Sequence, residues 1–126
     1  MQIVKLDHVN VRTTQLNDMI NWYTTILDMR SGYRPYFPFP GAWMYAGESP
    51  VVHLVDIDGD PGIGAEVELK LEHFALTGSD LESFVAKLES MDEKYLRGEV
   101  ADLNIIQINV WDPDGNHIHV DFSEDV

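Results

Sequence analysis

The sequence predicts an α+β fold: two tandem βαβββ modules with their helices outside a strongly curved, barrel-like mixed sheet. Three observations lead there. The first is an internal repeat. Residues 6–11, LDHVNV, return as 71–76, LEHFAL, and the His-Leu-Val of VVHLVD (51–56) returns around His119 in HIHVDF. His8 to His73 spans 65 positions and His53 to His119 spans 66, and a shared period of this kind marks a duplicated structural unit. The second is a pair of amphipathic helical stretches at the same offset. Leu16, Met19, Ile20, Tyr23 and Ile26 make one apolar face, and Leu81, Phe84, Val85, Leu88 and Met91 repeat it. The third is a set of short apolar-alternating segments cut apart by Gly, Pro, Asp and Asn.

In chain order, alternation places the first strand over 3–12 and helical spacing places the first helix over 15–27. Strands follow over 29–37, 42–47 and 51–57. YRPYFPFPG (33–41) holds three prolines, which suits an edge or loop, because proline cannot donate to a ladder. Module one is expected over 1–57. The Gly-, Pro- and Asp-dense stretch over 58–66 is the connection, and module two fills 67–126. Its strands are expected over 68–77, 94–100, 104–111 and 117–123, around a helix at 80–91. Ser79-Asp80-Leu81-Glu82 has the form of a capping box at that helix's start. DPDGN (112–116) is a tight turn between the last two strands.

Composition limits the function classes. The 126 residues suit one domain with a core of its own, at 44% apolar residues. The net charge is −14 with eight Lys and Arg, which repels phosphate backbones, so neither nucleic acid nor an anionic membrane is an expected partner. No cysteine is present, which excludes disulfides and thiolate chemistry. No apolar run approaches a membrane span, and MQIVKLDHVNV lacks the layout of a signal peptide. A cytoplasmic protein is the expectation.

The five histidines carry the chemistry. Strand alternation puts His8 with Leu6, Asn10 and Arg12 on one face, His53 with Val51 and Val55, His73 with Leu71 and Ala75, and His117 with His119 and Asp121. A lone strand histidine is more often packing than ligand. The paired spacing changes that reading: the repeat maps His8 onto His73 and His53 onto His119. If the sheet curves enough, four imidazoles converge on one point. Four neutral imidazoles suit a divalent first-row metal such as Zn, Fe, Ni, Cu or Mn. Bound without carboxylate or thiolate, the ion keeps its full charge and acts as a Lewis acid on an anionic oxygen. His117 has no counterpart, since Val51 holds the equivalent place, so it reads as cavity-lining or as a strand-end surface residue. Asp121 sits two residues beyond His119, either orienting it or solvated. Arg12 and Asn10 on the ligand face, Trp43 and Tyr45 on one strand, and Gln107, Asn109 and Trp111 on another supply charge, rings and hydrogen bonds for a small-molecule site.

The stretches LDHVNVRT, MINWYTTILDM, GAWMYAGESPVVHL, LEHFALTGSDLESFVAKL and IIQINVWDPDGNHIHVDF resemble the vicinal oxygen chelate superfamily, the group of glyoxalases, bleomycin resistance proteins and extradiol dioxygenases. The resemblance spans nearly the whole chain. It implies paired βαβββ modules around one divalent metal, held by the first and fourth strands of each module, here His8, His53, His73 and His119. It also implies a homodimer and a small-molecule substrate. One departure stands out: where glyoxalases carry a ligand glutamate that also moves the proton, this chain has His119. Without that carboxylate, His117 or a metal-bound hydroxide is the substitute base. The leading expectation is therefore a metal-dependent lyase or isomerase acting on vicinal oxygens of a small metabolite. A non-haem iron dioxygenase and a small-molecule binding or resistance protein without catalysis are the alternatives.

Overall fold

The computed structural model describes residues 1–59 and 71–124. The chain divides into two compact units, Met1–Gly62 and Ile63–Val126. Each runs strand, helix, three strands, the α+β arrangement of two βαβββ modules that the repeat predicts. Most of the expected connection at 58–66, and the expected beginning of the fifth strand, fall at 60–70 and lie outside the described residues.

In the first unit, β1 (Val9–Thr13), α1 (Leu16–Thr25), β2 (Arg30–Ser31), β3 (Gly41–Ala46) and β4 (Ser49–Asp56) build a four-stranded sheet in the order β1-β4-β3-β2. β1 runs parallel to β4, and the other pairs are antiparallel. Period-two alternation sends Ala42, Met44, Val52 and Leu54 into the core, where α1 packs over β3 and β4 with Met19, Tyr23 and Ile26 buried. Each of the larger side chains, Met19, Ile26, Met44, Val52 and Leu54, contributes on the order of 1.5–3 kcal/mol of burial. The opposite face of the same two strands brings Trp43 beside His53 in register.

The second unit repeats the plan with β5 (Phe74–Thr77), α2 (Leu81–Ser90), β6 (Leu96–Val100), β7 (Ile105–Trp111) and β8 (His117–Ser123), in sheet order β5-β8-β7-β6. β7 alternates cleanly: Ile106, Ile108 and Val110 are buried, while Gln107, Asn109 and Trp111 are half-buried on the other face. Those three pair across the ladder with Asp121, His119 and His117 in turn. Gly78 lies so close under β8 that an added Cβ would come within 2.6 Å of Val120 Cγ1. Phe84 of α2 meets Phe122, with ring centroids 5.8 Å apart.

The structure departs from the sequence reading in four places. β2 is two residues long, because the prolines at 35, 38 and 40 remove ladder donors just after it. β1 starts at Val9 and β5 at Phe74, so His8 and His73 each immediately precede a strand. The N-cap of α2 is Asp80, not Ser79: its carboxylate accepts the Ser83 N–H at 3.2 Å from a left-handed backbone with φ 64°. Gln15 caps α1 without a side-chain bond. No described helix is long and apolar enough to cross a membrane.

Candidate metal and substrate site

In the first unit, the end of the segment before β1 sets His8 against His53 of β4. Their rings stack with centroids 3.8 Å apart and planes 9° apart. Trp43 covers the other face of His53 at 4.0 Å and 11°, so three rings form one stack. The hydrogen bonds define which nitrogens are engaged. His8 Nδ1–H donates to the Asp7 carboxylate at 2.7 Å, and His53 Nε2–H donates to the Pro50 carbonyl at 3.0 Å. Each imidazole thus has its second nitrogen, Nε2 of His8 and Nδ1 of His53, outside these bonds. His53 is buried, with 8% exposure. Burial pushes its pKa below the ordinary 6.5, the charge on His8 pushes the same way, and the Pro50 carbonyl opposes them. A histidine held neutral is the form that ligates a metal. The bond from His8 holds the Asp7 carboxyl below its usual range.

In the second unit, His73 lies 4.3 Å from His119 and 5.4 Å from His117, centroid to centroid. His73 Nδ1–H donates to Glu72 at 2.8 Å, and His119 Nδ1–H donates to Asp121 at 2.6 Å. Asp121 therefore orients His119, the arrangement in which a carboxylate fixes the tautomer and presents Nε2. His117 is held from both sides, by Glu72 Oε1 to Nδ1 at 2.9 Å and by Asn109 Oδ1 to Nε2 at 2.8 Å. Asn109 Nδ2 donates to the Leu96 carbonyl at 3.2 Å, which turns its oxygen toward His117 and identifies both partners of that ring as acceptors. Trp111 stacks on His117 at 5.0 Å and 11°. Two histidine donors, His73 first and His117 second, hold the Glu72 carboxyl below its usual range.

The remaining residues singled out from the sequence divide. Asn10 pairs with His53 across the ladder and Arg12 with Val55, both exposed on β1. Trp43 belongs to the His53 stack. Tyr45 is committed elsewhere: a register shift separates it from Met44, Arg30 lies 4.7 Å over its ring, and its hydroxyl donates to the Tyr33 carbonyl. Gln107 faces Asp121 across the ladder, and Asn109 braces His117. Two residues that alternation passes over, Asp7 and Glu72, are the ones hydrogen-bonded to His8 and His73. The repeat holds the signal for them: both precede their histidine, 65 positions apart.

The donor set fits a divalent metal. In each unit, two imidazoles lie ring to ring, each with a nitrogen outside the bonds above, and three of the four are anchored by carboxylates. Imidazole nitrogen with carboxylate backing is the ordinary equipment of Zn, Fe and Ni sites.

Among solved structures, the fold is shared with a glyoxylase/bleomycin resistance protein/dioxygenase domain from a Frankia species (TM-score 0.80, 18% identity, 98% of this chain and 95% of that one covered). It is shared too with an antibiotic-binding protein from a Streptomyces species (TM-score 0.73, 15% identity, 98% and 99% covered). Lactoylglutathione lyase from Agrobacterium tumefaciens is a further example (TM-score 0.70, 14% identity, 96% and 95% covered). No curated protein matches the chain. The family model described as Glyoxalase/Bleomycin resistance protein/Dioxygenase superfamily matches residues 5–120. With its repeated modules and that match over nearly its full length, the chain belongs to the glyoxalase/bleomycin resistance protein/dioxygenase superfamily.

Proposed function

We propose that this protein is a metal-dependent enzyme of the glyoxalase-like group, a lyase or isomerase that takes a small metabolite by two neighbouring oxygens. The observation that carries the reading is the repeated pairing of histidines, His8 with His53 and His73 with His119, each with one nitrogen outside its hydrogen bonds. The histidine pair of each unit would supply imidazole ligands to a divalent metal, whose Lewis acidity would stabilise negative charge developing on substrate oxygen.

The chain's own groups do the rest. Asp7, Glu72 and Asp121 hold their imidazoles by Nδ1–H. Asn10 and Arg12, exposed on β1, supply a hydrogen bond and a cation for an anionic substrate, and Trp43, Gln107 and Asn109 line the same faces as the histidines. His117 moves the proton in place of the missing glutamate. It works together with its hydrogen-bond partners Glu72 and Asn109, which hold the ring in place. A homodimer in the cytoplasm is part of this reading, and exposed Ile3, Val4 and Leu6 ahead of edge strand β1 support self-association.

A second reading is favoured by the His8–His53–Trp43 stack, which offers a flat ring surface suited to binding a small molecule without turnover. Elemental analysis of untagged protein grown with Zn, Fe, Ni and Mn separates the two. About one equivalent per chain, lost together with turnover of 2-oxoaldehyde thiol adducts on chelation, supports the enzyme. Absence of metal after supplementation would refute it. Oxygen uptake with catechols in place of that turnover would reassign the chemistry to a dioxygenase.

A further inference from the structure

The Glu72–His73–His117 cluster has no equivalent in the first unit, where Asp7 meets His8 and the place of His117 is taken by Val51. Its three donor atoms lie within 4.8 Å of one another. Glu72 Oε1 stands 2.8 Å from Nδ1 of His73 and 2.9 Å from Nδ1 of His117. Donors around a first-row ion at about 2.1 Å are separated by about 3.0 Å along an octahedral edge, so two of the three edges are already at coordination spacing. The third closes by side-chain rotation, which exposure permits: Glu72 is 59% exposed and His73 38%.

The surroundings of His117 are those of a ligand histidine. Its Nε2–H donates to Asn109 Oδ1, whose amide is turned by the Leu96 carbonyl, and Trp111 fixes the ring plane. A ligating histidine ordinarily gives its other N–H to such an acceptor, which sets the tautomer and leaves the first nitrogen for the ion.

We infer that Glu72, His73 and His117 form a second divalent-cation site, a two-histidine, one-carboxylate set carried wholly by the second unit. An ion entering it replaces the two N–H protons shared with Glu72, so its binding releases protons and weakens as pH falls. The carboxylate leaves this site one charge less positive than an all-imidazole site, and its three ligands leave positions open to water. The site does not rest on the function proposed above; it competes with it, because a neutral His73 gives Nδ1 here or Nε2 to the ion shared with His119, and His117 serves here or in proton transfer.

The test uses the full chain stripped of metal, titrated with Zn²⁺ against a chromophoric chelator. The His8→Asn/His53→Gln/His119→Gln background removes the other imidazoles. It is expected to retain about one equivalent of Zn²⁺, and adding Glu72→Gln or His117→Asn should weaken that binding by about tenfold or more. Far-UV circular dichroism confirms folding, and exposed Glu72 provides the variant least able to disturb it. Zn²⁺ binding to the background that neither added substitution alters, or no binding in a folded background, overturns the inference. If wild-type metal disappears with the three histidines and is untouched by Glu72→Gln and His117→Asn, the second site falls and the proposed function stands. If the metal is insensitive to the three and lost with Glu72→Gln, the second site stands and the four-histidine reading falls.

Discussion

Replacing Asp121 by Asn tests whether His119 is a ligand held in place by its neighbour. The Asp121–His119 bond is 2.6 Å long, between side chains 24% and 10% exposed, so it is short, charge-assisted and largely shielded from water. A bond to a charged group contributes about 1.5–3 kcal/mol against about 0.5–1.5 for a neutral one. The isosteric Asn keeps an acceptor and loses the charge, a difference of about 1.4 kcal/mol, or about tenfold in affinity. Asp121→Ala removes the acceptor as well, and metal affinity should fall by about 10–100-fold. Asp7 makes a similar bond to His8 at 2.7 Å but is 77% exposed, and an exposed pair of this kind is weak. Asp7→Asn should therefore cost about threefold or less. Chelator competition with Zn²⁺ at fixed pH reads all three, with the thermal midpoint confirming that each variant is folded. Equal losses at positions 7 and 121, or unchanged affinity in a folded Asp121→Ala protein, would refute the reasoning.

Two further outcomes are expected. Because burial lowers the pKa of His53 from 6.5, the unfolded chain binds the proton more readily than the fold does. The contribution is complete above pH 6.5 and is lost as pH falls toward the lowered value, so the urea midpoint should drop on acidification in wild type and drop less in His53→Gln. Asp112, 4% exposed, accepts the backbone N–H of Asp114 at 3.0 Å and of Asn116 at 2.9 Å. Asp112→Ala removes the acceptor of those part-buried donors, which costs about 1–3 kcal/mol, and loosens the turn that delivers His117 and His119. A lower urea midpoint together with weakened Zn²⁺ binding is the expected result.

Much of the fold was legible because duplication states each periodicity twice. The apolar faces of α1 and α2, the alternation in β7, and the nearness of His8 to His53 and of His73 to His119 all follow from position within a repeat. Element lengths were less legible. The first strand read as 3–12 on alternation alone, whereas hydrogen bonding begins at Val9, and alternation says nothing about whether a partner strand is present. The same reason hid Asp7 and Glu72. They precede the ladders, where no pleat forces a side chain to the face opposite its neighbour, and both turn back onto the following histidine. The register shift after Met44 and the contacts of Tyr45 with Arg30 and Tyr33 carry no composition signal. The bracing of His117 by Glu72, 45 positions away, needs tertiary coordinates.

In each sheet, one histidine of the pair sits on an inner strand and the other immediately before an edge strand. His53 and His119, on β4 and β8, are each 8% exposed, so their replacement must respect core volume and buried polarity. His8 and His73 are more exposed, at 39% and 38% of their side chains, so a new side chain there meets water on one side and the partner ring on the other. The two modules therefore divide their proposed metal donors into a more buried member and a more exposed one. An evolving or engineered descendant can trial carboxylate, amide or imidazole at positions 8 and 73 with little cost to folding. Changes at 53 and 119 need compensating repacking, so the proposed ligand set is retuned more readily at the outer pair.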